Sequence, residues 1–157
     1  MSPNTKLFAL GTLIEAGSDT SRATIGQIIA AAATYPDWVQ RAREQLDAVC
    51  GSSAERLPTF DDRARLPYIT AVTKEGMRWR PNIAEIGTPR VLIQDDEYEG
   101  YKFPAGTVFT FNSWAIVLNP NEYKDPERFW PERFMNEDLN NPLRGHWSFG
   151  AGESLGC

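Results

Sequence analysis

With 157 residues, 41% hydrophobic and 11% aromatic, the chain is long enough to bury the core of one domain and too apolar to be a disordered segment. Sixteen Lys and Arg against 21 Asp and Glu leave a net charge of -5, so no general basic field attracts a phosphate backbone and nucleic acid is not an expected partner. No stretch of 18 uninterrupted apolar residues occurs, and Met1-Ser2-Pro3-Asn4 does not begin a charged-then-apolar leader, so neither a membrane span nor a secretion signal is expected in this chain. The two cysteines, Cys50 and Cys157, cannot form a disulfide framework and are compatible with a reducing compartment.

Leu7 to Ala33 is rich in Ala, Leu and Ile, has no internal Pro and lacks a broad charged face. This predicts a long helix buried over much of its surface. Gly11 and the run Gly17-Ser18-Asp19-Thr20 place poor helix formers in its middle, a local conflict of the kind found where function overrides propensity. Pro36 and Gly51 bracket a second, amphipathic helix over Asp37 to Cys50 with an apolar stripe of Val39, Ala42, Leu46 and Val49. Cys50 near its end reads as a small structural residue.

Thr59 with Asp62 is suited to cap a short helical turn, and Pro67 to open a further helix that must stop near Arg80 because Pro81 follows. Short strands are expected next, at Arg90-Val-Leu-Ile, at Glu99-Gly100-Tyr101 and over Thr107 to Phe111. Asn119 to Pro142 carries Pro120, Pro126, Pro131 and Pro142 amid aromatic and charged residues, so irregular coil ordered by packing is predicted. Within it Pro126-Glu-Arg-Phe129 recurs as Pro131-Glu-Arg-Phe134, too closely for a solenoid. The fold class is therefore mainly α with a small β-sheet: helices over about 6–80, a small sheet over about 83–112, and coil from 119 to the end.

Four pieces then stand in order: Ala16-Gly17-Ser18-Asp19-Thr20 in the long helix, Glu75-Gly76-Met77-Arg78 in a later one, Phe129-Trp130-Pro131-Glu132-Arg133-Phe134 in coil, and Phe149-Gly150-Ala151-Gly152. Each is weak alone, since E-x-x-R arises by chance in many helices; the ordered set is specific. Over nearly its whole length the chain resembles the cytochrome P450 family, the haem-thiolate monooxygenases, from the central oxygen-binding helix to the haem-binding loop. The texture of Pro-Glu-Arg-Phe is closer to microsomal, fungal-like members. The resemblance implies a partial cytochrome P450 fold over residues 1–157 as one domain, with a Pro-rich meander and the start of the haem loop at 119–157.

It also implies roles. Glu75 and Arg78, at i and i+3, lie on one helix face and can pair; a solvated surface pair is the bland alternative. By resemblance they form a buried structural triad with Arg133 that fixes the meander. Gly17 leaves room for a ligand, and Asp19 with Thr20 is implied to deliver protons during dioxygen activation, against the plainer reading of Thr20 as a helix hydroxyl bonded one turn back. Arg90 stands where a basic residue faces a haem propionate, although a strand-edge surface Arg fits its sequence nearly as well. Phe149, Gly150 and Gly152 are implied haem-loop residues. His146, the one histidine, precedes that loop and is not the implied iron ligand. The implied cofactor is haem b with an axial Cys thiolate. The implied partners are an NADPH-dependent reductase, dioxygen and a small apolar organic substrate, and the parent enzyme is expected on the cytoplasmic face of the endoplasmic reticulum membrane.

The last nine residues, Phe149 to Cys157, admit a second reading, because Gly152-Glu153-Ser154-Leu155-Gly156 fits the G-x-S-x-G elbow of a serine hydrolase. That fold needs a helix, an Asp and a His after Ser154, so the match is read as chance. The haem pattern is also imperfect: it asks for Arg at 154 and Cys at 156, whereas the chain has Ser154, Gly156 and then Cys157, one position late. A large region is expected to precede Met1 in full-length members. A non-catalytic remnant without haem ligation therefore stands beside the monooxygenase reading.

Overall fold

The structure, a computed structural model, describes residues 2–82 and 89–148. Its elements are α1 (Pro3–Thr34), α2 (Val39–Cys50), α3 (Pro67–Trp79), β1 (Arg90–Val91), β2 (Asp96–Tyr98), β3 (Tyr101–Phe103), β4 (Val108–Phe109) and α4 (Ser113–Val117). Single 3-10 turns cover Pro36–Trp38, Phe60–Arg65 and Pro131–Phe134. The mainly helical class with a small antiparallel β region is the one expected from sequence.

Local chemistry accounts for the helix boundaries. Ser2 caps α1, its hydroxyl accepting from the Thr5 amide at 3.2 Å, and Pro36 ends the continuation. Gly51 at φ 90° stops α2 in a backbone region that L side chains rarely adopt. Asp62 accepts from both the Thr59 amide at 2.8 Å and the Thr59 hydroxyl at 3.1 Å, so the predicted capped turn forms as Phe60–Arg65. Pro81 ends α3, with Arg80 already extended at φ -141°, ψ 86°.

Two expectations need correction. α1 is not buried over much of its surface: Leu7, Phe8, Leu10, Leu13, Ile14, Ile25 and Ile29 are all exposed. Its apolar residues run around the whole circumference, while the described elements packed on it, α3 and the turn Pro36–Trp38, meet only part of it. Ala31 is fully buried and Ile28 and Ala32 pack against the core there. The β region is two separate two-stranded antiparallel ladders, one nested in the other. β2 pairs with β3 with Tyr98 opposite Tyr101, and β1 pairs with β4 with Arg90 opposite Phe109. Glu99 and Gly100, expected in a strand, are the turn itself, with φ of 50° and 82°. This is the left-handed pair that a two-residue hairpin requires. The third expected strand, Thr107 to Phe111, shortens to Val108–Phe109, and α4 follows it, capped by the Asn112 side chain, which accepts from the Ala115 amide at 3.0 Å.

The core is organised around α3, which buries two neighbouring arcs of its surface. One arc carries Tyr68, Val72 and Trp79 into a cluster with Ala31, Trp38, Ala42 and Phe129. Here Trp79 and Trp38 lie 5.7 and 5.1 Å, centroid to centroid, from the Phe129 ring. Ring pairs at such separations contribute beyond their area burial. Gly76 lets α1 come close: a Cβ there would lie 2.6 Å from Ile28 Cγ1. The other arc buries Ala71, in a cluster with Tyr123, Phe134 and Leu139. The two Pro-Glu-Arg-Phe copies thus drop their phenylalanines into two different clusters, Phe129 into the first and Phe134 into the second. Residues 119–142 are otherwise turns and bends, the packed coil that the prolines predict.

Candidate functional site

The second arc of α3 also buries charge. Glu75 is 0% and Arg78 1% exposed, positions that an amphipathic helix would normally give to apolar side chains. Arg78 meets the Glu75 carboxylate with two parallel bonds, Nε to Oε2 at 2.7 Å and Nη2 to Oε1 at 2.9 Å. Its remaining N–H groups donate to backbone oxygens of Val117 (3.0 Å), Pro126 (2.8 Å) and Arg128 (3.3 Å). All five donors of the guanidinium are therefore matched. Arg133 arrives from the coil, its Nε 3.2 Å from Glu75, and donates onward to the carbonyls of Lys124 (2.8 Å), Asp125 (3.3 Å) and Arg128 (3.4 Å). The Trp130 amide closes on Glu75 Oε1 at 2.7 Å. Sequence placed Glu75, Arg78 and Arg133 together, and the structure brings them into one buried network.

The physical logic is backbone satisfaction. A coil has no ladder of its own, and buried carbonyls without donors are costly. Two guanidiniums supply donors to Val117, Lys124, Asp125, Pro126 and Arg128, and the single carboxylate between them offsets their charge. Burial lowers the Arg133 pKa, Glu75 opposing and Arg78 reinforcing the shift. Tyr123, whose ring lies 5.2 Å below the Arg78 guanidinium, is pushed up to about 12, chiefly by burial. Arginines do not release protons in proteins, so this network positions backbone and takes no part in proton transfer.

A second anchor was not foreseen. Lys74, 3% exposed, donates to three carbonyls of the following loop, Asp138 at 2.5 Å, Asn141 at 2.7 Å and Arg144 at 3.0 Å. Burial lowers its pKa. The signal was present as a lysine next to the E-x-x-R glutamate and a turn-rich Asn-Glu-Asp-Leu-Asn-Asn-Pro run, whose carbonyls need donors. Beside it His146 is 6% exposed, its Nδ1 3.3 Å from the Ser148 amide, and its pKa is lowered by burial and then by the Lys74 charge. Lys74, Glu75 and Arg78 together hold the chain from Val117 to Arg144.

The other predicted residues lie apart from this network. Gly17, Asp19 and Thr20 are on the exposed surface of α1. A Cβ on Gly17 would meet nothing within 4 Å. The Thr20 hydroxyl donates to the Ala16 carbonyl at 2.9 Å, and Asp19 pairs with Arg22 at 2.7 Å. No bond joins Asp19 to Thr20 among the described residues. Arg90 is exposed on β1, with no ion pair among the described residues. Phe149, Gly150, Gly152, Ser154 and Cys157 lie outside the described residues, as do Ile83 to Thr88.

A long, largely exposed helix and a second helix whose buried Glu and Arg hold down a Pro-rich coil place the motifs in the order in which the sequence resembles the cytochrome P450 family. The comparisons with known proteins agree. The family model for cytochrome P450 matches residues 1–154. Cytochrome P450 monooxygenase verL of Clonostachys rogersoniana is 42% identical over 161 residues, covering 97% of this chain and 29% of that protein. A cytochrome P450 monooxygenase of Armillaria gallica is 44% identical over 137 residues, covering 86% of this chain and 26% of the relative. A solved zebra fish cytochrome P450 with progesterone superimposes with a TM-score of 0.73 at 35% identity, over 88% of this chain and 31% of that one. The chain belongs to the cytochrome P450 family, and it spans under a third of the length of these relatives.

The family implies haem, and the described residues fit that group in two respects. The space beside Gly17 is open on a helix face that also carries exposed Leu10, Leu13 and Ile14, and the exposed Arg90 guanidinium suits a propionate carboxylate. Among the described residues no cluster of three His, Cys, Asp or Glu groups is arranged to hold a metal ion; a single axial thiolate requires none.

Proposed function

We propose that the protein containing this chain is a haem-dependent monooxygenase that inserts one oxygen atom from dioxygen into a small apolar organic substrate. The observation that carries the reading is the buried Glu75–Arg78–Arg133 network, which fixes the coil that precedes the Phe-Gly-Ala-Gly motif in sequence. The relatives' printed names, cytochrome P450 monooxygenases, support it. Haem b would supply dioxygen activation, with thiolate donation favouring O–O cleavage. Cys157 would supply the thiolate that holds the haem iron, Phe149, Gly150 and Gly152 would belong to the haem-binding motif ahead of it, and Arg90 would hold a propionate.

What the chain's own residues do follows from their positions. Gly17 withholds a side chain from the face on which Thr20 projects. Because the Thr20 hydroxyl proton is committed to the Ala16 carbonyl, its oxygen lone pairs remain to accept a hydrogen bond from a water or reacting group, and Asp19 supplies a carboxylate for proton resupply. Electrons would come from an NADPH-dependent reductase. No helix among the described residues is long and apolar enough to cross a membrane; the proposed site of the parent enzyme is the cytoplasmic face of the endoplasmic reticulum membrane.

A specific observation favours a second reading, that of a family member without haem ligation: residue 154 is Ser where the pattern has Arg, and Cys157 falls one position late. Incubation of the haem-supplemented protein with reductase, NADPH, isotopically labelled dioxygen and a panel of alkylbenzene and steroid probes separates the two. The monooxygenase reading predicts one labelled oxygen atom in a product. A protein that takes up no haem, and with it shows neither haem-dependent NADPH consumption nor a labelled product, would support the second reading.

A further inference from the structure

Asn82 was not singled out by any motif, yet its carboxamide is placed on the one turn of α1 that the proposed chemistry uses. Its Nδ2 donates to the Thr20 carbonyl at 2.9 Å and to Thr24 Oγ1 at 3.1 Å, and its Oδ1 accepts from Gln27 Nε2 at 3.0 Å. The amide orientation is fixed by the chemistry, because a backbone carbonyl can only accept and so must face the NH2 side. The Thr24 hydroxyl, accepting from Asn82, donates its own proton to the same Thr20 carbonyl at 3.0 Å. One turn earlier the Thr20 hydroxyl donates to Ala16. Residues 16, 20 and 24 are thus linked by side-chain bonds along one strip of the helix, and Asn82 ties that strip to the end of α3.

Pro81 makes this geometry available. It stops α3 and leaves Arg80 extended, so that the chain turns toward α1 instead of continuing past it. The close approach at Gly76, with Ile28 and Thr24 nearest to a notional Cβ, brings the two helices near enough for a short amide to span them.

We infer that Asn82 is a positioning residue for Thr20: by anchoring the Thr20 carbonyl it fixes the peptide unit from which the Thr20 hydroxyl projects. The inference rests on the proposed role of Thr20 in proton delivery, but the anchoring itself does not. A residue that merely filled space would tolerate the isosteric Asp. A donor to a carbonyl would not, since an ionised carboxylate has no proton to give and would face the Thr20 oxygen as a second acceptor.

The test combines amide hydrogen exchange over residues 20–24 with the ratio of product formed to NADPH consumed, in wild type, Asn82→Ala, Asn82→Asp and Thr20→Ala. Asn82→Ala should speed exchange there by about two- to tenfold, the range one net side-chain hydrogen bond supports. Asn82→Asp should exceed Asn82→Ala at neutral pH and recover on acidification, as the protonated carboxyl regains a donor. Both should lower the product ratio, as should Thr20→Ala. Unchanged exchange in Asn82→Ala, or a neutral-pH Asn82→Asp that matches wild type, would overturn the inference whatever Thr20 does. Altered exchange with an unchanged product ratio in Thr20→Ala would instead overturn the role of Thr20, and with it the catalytic meaning of the anchor.

Discussion

Replacing Glu75 with Gln should be among the most damaging single-atom changes available to this chain. The substitution keeps the shape but removes the carboxylate that Arg78 grips through Nε and Nη2 and that Arg133 and the Trp130 amide also approach. A glutamine oxygen at the Oε1 position retains the three donors that converge there. Its NH2 at the Oε2 position then meets Arg78 Nε donor to donor, and two guanidiniums are left buried without a counter-charge. Breaking a buried pair from one side costs about 3–5 kcal/mol, against a whole-domain stability of about 5–15 kcal/mol. With a urea slope of about 2 kcal/mol per molar, the unfolding midpoint followed by circular dichroism should fall by about 2 M. Asp19→Asn is the internal contrast: Asp19 pairs with Arg22 at the same 2.7 Å as Glu75 with Arg78, but with 59% and 79% of the two side chains exposed. Water already screens that pair, so its midpoint should not move measurably. A Glu75→Gln midpoint as close to wild type as that of Asp19→Asn would refute the claim that the network is dry and holds the meander.

Lys74→Met keeps the aliphatic stem but leaves the carbonyls of Asp138, Asn141 and Arg144 without their ammonium donor. Amide exchange over residues 138–146 should rise in Lys74→Met while that of α2 does not, and equal protection of 138–146 in wild type and Lys74→Met would show that the loop holds itself. The pH profile follows from His146. Burial and the Lys74 charge set its folded pKa below the ordinary 6.5, so the unfolded chain binds the extra proton as pH falls through that value, and stability is lost on acidification. His146→Gln should flatten the stability slope between about pH 7 and 5; an unchanged slope would assign it elsewhere. A separate acid limb belongs to Asp62, whose carboxyl Arg56 and then the Thr59 amide hold well below the usual 3.8. Its contribution is present above the ordinary carboxylate range and lost below it, so Asp62→Asn should remove that limb from urea midpoints measured below about pH 4.

The sequence made different parts of this molecule legible for different reasons. Turn and cap chemistry is local, so Thr59 with Asp62, Gly51, and the stop before Pro81 could be read directly. The Glu75–Arg78–Arg133 network was legible through the family resemblance, with the need of a proline-rich coil for an anchor as its physical support; in the structure the second Pro-Glu-Arg-Phe copy sends its arginine to Glu75, and Arg128 of the first pairs with the exposed Asp37. Burial of α1 was misjudged because an all-round apolar sequence says that a helix can be covered, not by what. Lys74 left only the indirect signal of a turn-rich run needing donors, and Asn82 escaped notice because its partners, the Thr20 carbonyl and the Thr24 and Gln27 side chains, lie far away in sequence on α1. The strands were overextended because β-branched and aromatic runs do not specify how many residues find a ladder partner.

The most direct test of the proposed function is the reduced carbon-monoxide difference spectrum of the protein expressed with haem, recorded for wild type, Cys157→Ser and Cys50→Ser. Cys50 is buried at the end of α2 and Cys157 is the cysteine that follows the haem-loop motif. The account predicts a thiolate-type Soret band in wild type and in Cys50→Ser and its loss in Cys157→Ser. A wild-type protein that takes up no haem, or a band that survives Cys157→Ser, would contradict it.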